Sequence, residues 1–179
     1  MFKIYPVKIL LFVWFVSIPF FAVSNLKWET IFYSDTIFQY STSKNGNPDA
    51  NWRNFGFNAS GWESGKGGIG YGDNDDNTII ERCNALFLRR SFFIHNKLEI
   101  KRALLSIDYD DAFVAYLNGK EIARSGGLSA GFPAYDEISS ISHDARMPNG
   151  GNPDNFVVEA KTLSSIIREG ENILAIEIH

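Results

Sequence analysis

Asn118-Gly119 sits between Val114-Ala115-Tyr116-Leu117 and Lys120-Glu121-Ile122-Ala123, and few dipeptides restrict a chain more. Both residues tolerate positive φ, which the two-residue turn of a tight β-hairpin demands. Flanking runs keep a period of two. In residues 103–109, Leu105, Ile107 and Tyr109 alternate with Ser106 and Asp108. In the last run, Leu174, Ile176 and Ile178 share one face, and Ile173, Ala175 and Glu177 share the other. Such alternation sets one apolar face against a core, and the Ser106 and Asp108 face reads as the solvent side. Further short candidates are 30–34, 37–41, 86–94, 121–124 and 156–160. No window of ~15 residues sustains a helical period with caps, although 163–167 can form one turn before a stop at Gly170. Many short strands between polar turns predict an all-β fold, an antiparallel jelly-roll β-sandwich.

The first 24 residues stand apart from this pattern. Lys3 and Lys8 precede an apolar run from Ile9 to Phe21, and Ala22-Val23-Ser24 places small residues at a cleavage site. That layout is a secretory signal peptide, so residues 25–179 are expected as one secreted or cell-surface domain. A retained anchor is the alternative. The uncharged stretch from Ile9 to Leu26 is slightly shorter than the ~20 residues of a bilayer span, contains Pro19, and has no basic cluster after it. The full chain carries a formal net charge of −4, and the leader takes away lysines but no acids. A net-acidic chain without a basic cluster is poorly suited to nucleic acid, whose affinity depends on neutralising phosphates. Cys83 is the only cysteine, so no internal disulfide forms and the thiol reads as a small buried apolar group.

Several motifs resemble catalytic signatures but lack the context that their chemistry needs. Gly65-Lys66-Gly67-Gly68-Ile69-Gly70 fits G-x-G-x-x-G, yet an acidic Asx-rich stretch follows instead of a helix, so it reads as a glycine-rich turn. Gly127-Leu128-Ser129-Ala130-Gly131 fits G-x-S-x-G without a following helix, and its partners Asp136, Glu137 and His143 would all come from one loop. Asp108 and Asp110 could share a strand face, but a solvated polar face explains them more simply than a glycosidase pair. His95, His143 and His179 show no metal-ligand spacing. No catalytic residue is assigned.

Two polar segments, 44–76 and 125–155, resist strand assignment and carry aromatics, as functional loops on a sandwich do. Sugars stack their C–H faces on aromatic rings and give their hydroxyls to Asp, Asn and Arg. The candidate ligand-binding residues are therefore Trp62, Tyr71, Asp110, Arg124, Phe132 and Tyr135. Trp52, Phe55 and Phe57 read instead as plugs that give the first loop its own small core. Asp73, Asp75 and Asn77 place oxygens at alternate positions as in the first half of a Ca²⁺ loop, and the candidate metal ligands are Asp73, Asp75 and Asp76. Thr78 stands where the turn glycine belongs and Asn84 where the bidentate Glu belongs, so this is no EF-hand. A structural Ca²⁺ held by the three aspartates and an Asx turn bonded to its own backbone are both open.

Five blocks in order carry a family resemblance: Ser60-Gly61-Trp62; Gly65 to Asp73; Leu88-Arg89-Arg90-Ser91-Phe92; Asp108 to Gly119; and Gly170 to His179. Together they resemble the galactose-binding-like jelly-roll domain of large secreted bacterial proteins, where it accompanies CotH-like (spore-coat kinase-homologue) or lamin-tail domains. The resemblance implies an eight- or nine-stranded antiparallel sandwich, often with a structural Ca²⁺, and covers nearly all of residues 28–179. It implies no fixed set of sugar contacts, because such domains include sugar binders and purely architectural modules. In the family the last strand runs on past its histidine, so the chain is expected to be the N-terminal piece of a longer protein. The function expected is a non-catalytic, exported carbohydrate-binding-type module that localises a larger protein to a glycan or polysaccharide. A structural spacer or protein-interaction sandwich is the alternative.

Overall fold

The computed structural model describes residues 3–13, 27–72 and 75–179. Among the described residues, twelve strands and one short α-helix follow one another as β1 (Lys3–Val13), β2 (Lys27–Thr30), β3 (Ile37–Thr42), β4 (Glu63–Lys66), β5 (Ile69–Gly70), β6 (Thr78–Ile79), β7 (Leu86–Ile94), β8 (Ile100–Asp108), β9 (Phe113–Leu117), β10 (Lys120–Arg124), β11 (Asp154–Val158), α1 (Ala160–Ile166) and β12 (Gly170–Ile178). They form a β-sandwich. One sheet has the order β11-β8-β1-β5-β6, with β2 added on β1; the other has the order β10-β9-β12-β7-β3-β4. Pairing is antiparallel except for the two-residue contact of β5 with β6.

The alternation read from the sequence builds the interior. Leu174, Ile176 and Ile178 of β12 meet Leu86 and Leu88 of β7, Phe113, Ala115 and Leu117 of β9, and Leu105 and Ile107 of β8 in one buried cluster. Helix α1 adds Leu163 to it. Cys83 is buried there too, and burial pushes its thiol up to about 11. The β9–β10 hairpin turns at Asn118 (φ 50°) and Gly119 (φ 83°), as expected. Asn118 does more than turn the chain. Its side chain donates to Ile166 O and Asn172 Oδ1 and accepts from Ile173 N, tying the hairpin to the start of β12.

Three expectations need correction or sharpening. Residues 31–34 are not a strand: β2 stops at Thr30, and Ser34-Asp35 forms a turn closed by Thr36 N donating to Tyr33 O at 3.0 Å. The expected single turn at 163–167 starts earlier, as the seven-residue α1. Ser106 and Asp108 do not face solvent, being only 5% and 0% exposed. Segments of 125–155 fold over that face, and the Asp108 carboxylate accepts the main-chain amides of Arg146 and Met147. Lys3–Val13, inside the expected leader, is β1; residues 14–24 of that leader lie outside the described residues.

Candidate functional site

The outer face of the β10-to-β4 sheet is a second buried layer. Ile173 and Ala175 of β12, Val114 and Tyr116 of β9, and Ala85 and Phe87 beside and within β7 point away from the main core. They are covered by Trp52, with Phe57, Trp62, Leu128 and Tyr135 packed at the margin. The loop over residues 47–62 is fastened from below by Arg89, which is 2% exposed. Its guanidinium donates to the carbonyls of Trp52, Asn54 (3.2 Å) and Phe57 (3.4 Å) and lies 5.1 Å from the Phe57 ring centroid. Burial pulls the Arg89 pKa down, yet the carbonyl dipoles still hold the cation in place.

The second loop, 125–143, is braced by charge. Arg124 pairs with Glu121 (3.0 Å) and donates to Ser129 O (2.6 Å) and Gly131 O. Glu137 accepts from Ser129 N (2.6 Å), Ser129 Oγ (2.7 Å) and Ala134 N (3.1 Å), and the Ser129 bonds hold its carboxyl below the usual range. Ser129 thus gives both its amide and its hydroxyl to Glu137 within the same loop. Beneath both loops lies a buried polar knot. Tyr116 donates to Glu177 Oε1, Arg53 Nη2 lies 3.6 Å from Glu177 Oε2, and His179 Nε2 lies 3.7 Å from it. His179 Nδ1 faces Glu137 O at 2.9 Å, so the knot joins the two loops. Arg53 also lies over the rings of Trp52, Tyr116 and Phe132, the last at 4.3 Å.

Where the loops stop, the face opens. A groove of about 190 Å³ is lined by Gln39, Phe55, Phe57, Arg89, Ser91 and Glu171, with Ile173 in its floor. It is small beside the ~300–1,000 Å³ of drug-sized ligand pockets, a scale that suits one sugar ring with its neighbour outside. An adjoining depression adds Asp49, Asn51, Asn54 and Asn58 around the same Phe55. The Phe55 ring is 39% exposed and carries the Arg168 guanidinium 4.0 Å from its centroid. An aromatic plane fixed by a cation, among amides, a serine and a carboxylate, offers stacking and hydroxyl bonding together.

The residues singled out from the sequence fall into two groups. Trp62, Arg124, Phe132 and Tyr135 gather on the covered face. Trp62 packs at a tilt against Trp52 (5.9 Å) and edge-on against Phe57 (5.8 Å), Tyr135 packs on the outer cluster, and Phe132 is 65% exposed beside Tyr116. Tyr71 and Asp110 lie elsewhere: Tyr71 packs on the main core and donates to Cys83 O at 3.3 Å, with Asp110 near enough to act on its charge. Asp110 is buried, and burial followed by repulsion from Asp111 and Asp144 pushes its carboxyl up to about 6. Asp73 lies outside the described residues; Asp75 is exposed and Asp76 half-buried, with both Asp76 carboxylate oxygens buried. Among the described residues no three His, Cys, Asp or Glu side chains group as a metal site. Sequence reasoning passed over Phe55 by reading it as a plug with Trp52 and Phe57. The available signal was Asp49-Ala50-Asn51 and Asn54 around it, which Asx turns fold into a rim: Asn51 N donates to Asp49 Oδ1 at 2.7 Å.

No family model and no curated protein matches the sequence. Among solved structures, the chain is similar to the β-glucuronidase of Bifidobacterium dentium complexed with coumarin-3-O-glucuronide (TM-score 0.49, 18% identity), over 80% of this chain and 19% of that one. It is similar to a β-glucuronidase of Ruminococcus gnavus in complex with D-glucaro-d-lactam (TM-score 0.46, 15% identity), over 81% of this chain and 21% of that one. A β-glucuronidase of an uncultured Clostridium species gives TM-score 0.46 at 17% identity, over 80% and 21%. The chain thus spans about a fifth of the length of these proteins.

Proposed function

We propose that the chain is a non-catalytic, exported glycan-binding module that uses the open end of the covered sheet face. The observation that carries this reading is the Phe55 groove: a cation-pinned aromatic ring flanked by Gln39, Ser91, Glu171 and the Asn-rich rim. A sugar ring lays its C–H face on Phe55 and hands its hydroxyls to the amides and the carboxylate. The non-catalytic part of the reading draws on how the carboxylates are spent. Asp108 holds two backbone amides, Glu137 holds three donors of its own loop, and Asp154 takes Tyr109 OH (3.1 Å) and Arg146. A module of this kind places a larger protein on a polysaccharide.

Affinity electrophoresis through gels containing soluble polysaccharides tests the reading. Retardation by at least one neutral or acidic polysaccharide, about tenfold weaker in Phe55→Ala, is expected. Lack of retardation across the panel counts against it. That result favours a protein-interaction sandwich, for which the observation is the exposed apolar set Phe132, Ile138 (74%) and Ile141 (49%) on the second loop.

A further inference from the structure

The outer face of β7 does not end at the Phe55 groove. Phe92 and Ile94 pack on the main core, so Ser91, Phe93 and His95 alternate with them and point outward. Ser91 lines the Phe55 groove, and Phe93 lies two residues further, about 7 Å along the strand. Across the ladder Phe93 pairs with Glu171, which lines the same groove, and residues so opposed share a face. The Phe93 ring leans over the start of β12: a Cβ on Gly170 would meet its Cε2 at 4.0 Å. Arg168, two residues before Gly170, holds the Phe55 ring. Both rings are thus tied to the turn that opens β12. Phe93 is 61% exposed, with His95 tilted against it at 4.9 Å between centroids. Beyond it a second groove of about 520 Å³ opens between β2 and the end of β7, lined by Lys27, Glu29, Thr30, Phe93, His95 and Glu99.

We infer that Phe93 is a second stacking platform, and that the two grooves form one path for an extended, neutral polysaccharide chain. The inference rests on the glycan reading of the Phe55 groove and extends it from one sugar ring to several linked units. An exposed phenyl ring among polar side chains suits the C–H face of a pyranose. The groove beyond Phe93, at about 520 Å³, falls within the ~300–1,000 Å³ of ligand sites, which the Phe55 groove alone does not reach. Charge decides the class of chain. Arg89, Arg168 and Lys27 along the path are matched by Glu171, Glu29 and Glu99. Arg89 is already spent on loop carbonyls, so no surplus cation awaits a uronate carboxylate. A chain lying over both rings gains the second platform's contacts without a second cost of association, so affinity climbs with chain length.

The test runs the full chain through gels containing hydroxyethylcellulose, xylan, galactomannan, laminarin or polygalacturonate. It is then titrated calorimetrically with oligosaccharides of one to six units cut from whichever polymer retards it. Affinity should rise about tenfold between one unit and four and then level off. Phe93→Ala should weaken binding of the polymer and the four-unit oligomer about fivefold and leave single-unit binding unchanged, whereas Phe55→Ala weakens every length. Phe93→Trp keeps a stacking face and should bind the polymer as well as wild type, and the melting temperature of each variant checks its fold. Affinity that ignores chain length, or a Phe93→Ala variant that binds four units as wild type does, overturns the inference and leaves the Phe55 site standing. Retardation by polygalacturonate alone overturns the neutral class. A wild-type chain that no polymer retards removes the glycan reading and this inference together.

Discussion

Asp108 reaches across from β8 to the Met147 amide, which donates to its Oδ2 at 2.8 Å, while the neighbouring Arg146 amide donates to both carboxylate oxygens. A fully buried carboxylate spent on main-chain donors is an anchor for a loop. Asp108→Ala should cost about 3 kcal/mol in a denaturant titration, because it takes the buried acceptor from two main-chain amides. Asp108→Asn keeps one acceptor oxygen and should lose less. Equal midpoints for wild type and Asp108→Ala would show that the 140s loop holds itself.

Asp110 sets a pH dependence of unusual sign for an aspartate. Burial, then Asp111 and Asp144, raise its carboxyl from 3.8 to about 6, so the fold disfavours the charged form. Between about pH 4 and pH 6 the folded state holds the proton that the unfolded chain releases, and this group's contribution to stability falls as pH rises. Asp110→Asn, which mimics the protonated form, should flatten that slope and stabilise the protein at pH 7 relative to wild type. Denaturant midpoints from pH 4 to 7 read both effects.

The Cys83 thiol should resist alkylation in the folded protein. It is buried, and its pKa of about 11 leaves almost no thiolate at neutral pH. Ellman's reagent should react quickly only after denaturant is added; quick reaction of the native protein would place the thiol at the surface.

Trp62 and Phe55 should separate when mutated. Trp62 is wedged between Trp52 and Phe57, so Trp62→Ala should cost about 2–3 kcal/mol and lower the melting temperature. Phe55→Ala removes a half-exposed ring and should leave the melting temperature nearly unchanged while weakening polysaccharide retardation. A melt unchanged by Trp62→Ala would return that ring to the surface.

Gly119 has little freedom to change. A Cβ there would lie 2.0 Å from Asn54 Oδ1, and its φ is +83°. Gly119→Ala should therefore destabilise by about 1–3 kcal/mol, read by thermal melting, by straining the turn and pushing the first loop off its seat. Gly46, also at positive φ but with nothing within 4 Å of the added carbon, is the control that separates strain from collision.

The main core was readable where alternate residues are apolar, as at Leu105 and Ile107 of β8 and Leu174, Ile176 and Ile178 of β12. Strands β7 and β9 were placed to the residue and β10 to within one, and Leu174, Ile176 and Ile178 fill the interior as the period requires. The outer layer was not, since a period of two identifies a greasy face but not what covers a mixed one. Asp108 was read as a solvent residue and, like the polar side chains Arg89 and Glu177, is buried because irregular segments return over it. The hint was that Ile173 and Ala175 are apolar on the supposed outside of β12. Within the candidate site, Phe132, Tyr135, Trp62 and Arg124 were brought to one face, but Phe55 was missed because exposure of a loop ring depends on turns several residues away.

Arg89 grips its loop by the carbonyls of Trp52, Asn54 and Phe57, atoms that every amino acid possesses. Such a seat is indifferent to the letters written at the crest. Residue 55 and its asparagine neighbours can be rewritten while the contour beneath them is kept, so a lineage carrying this domain could retune what it touches without rebuilding what it stands on.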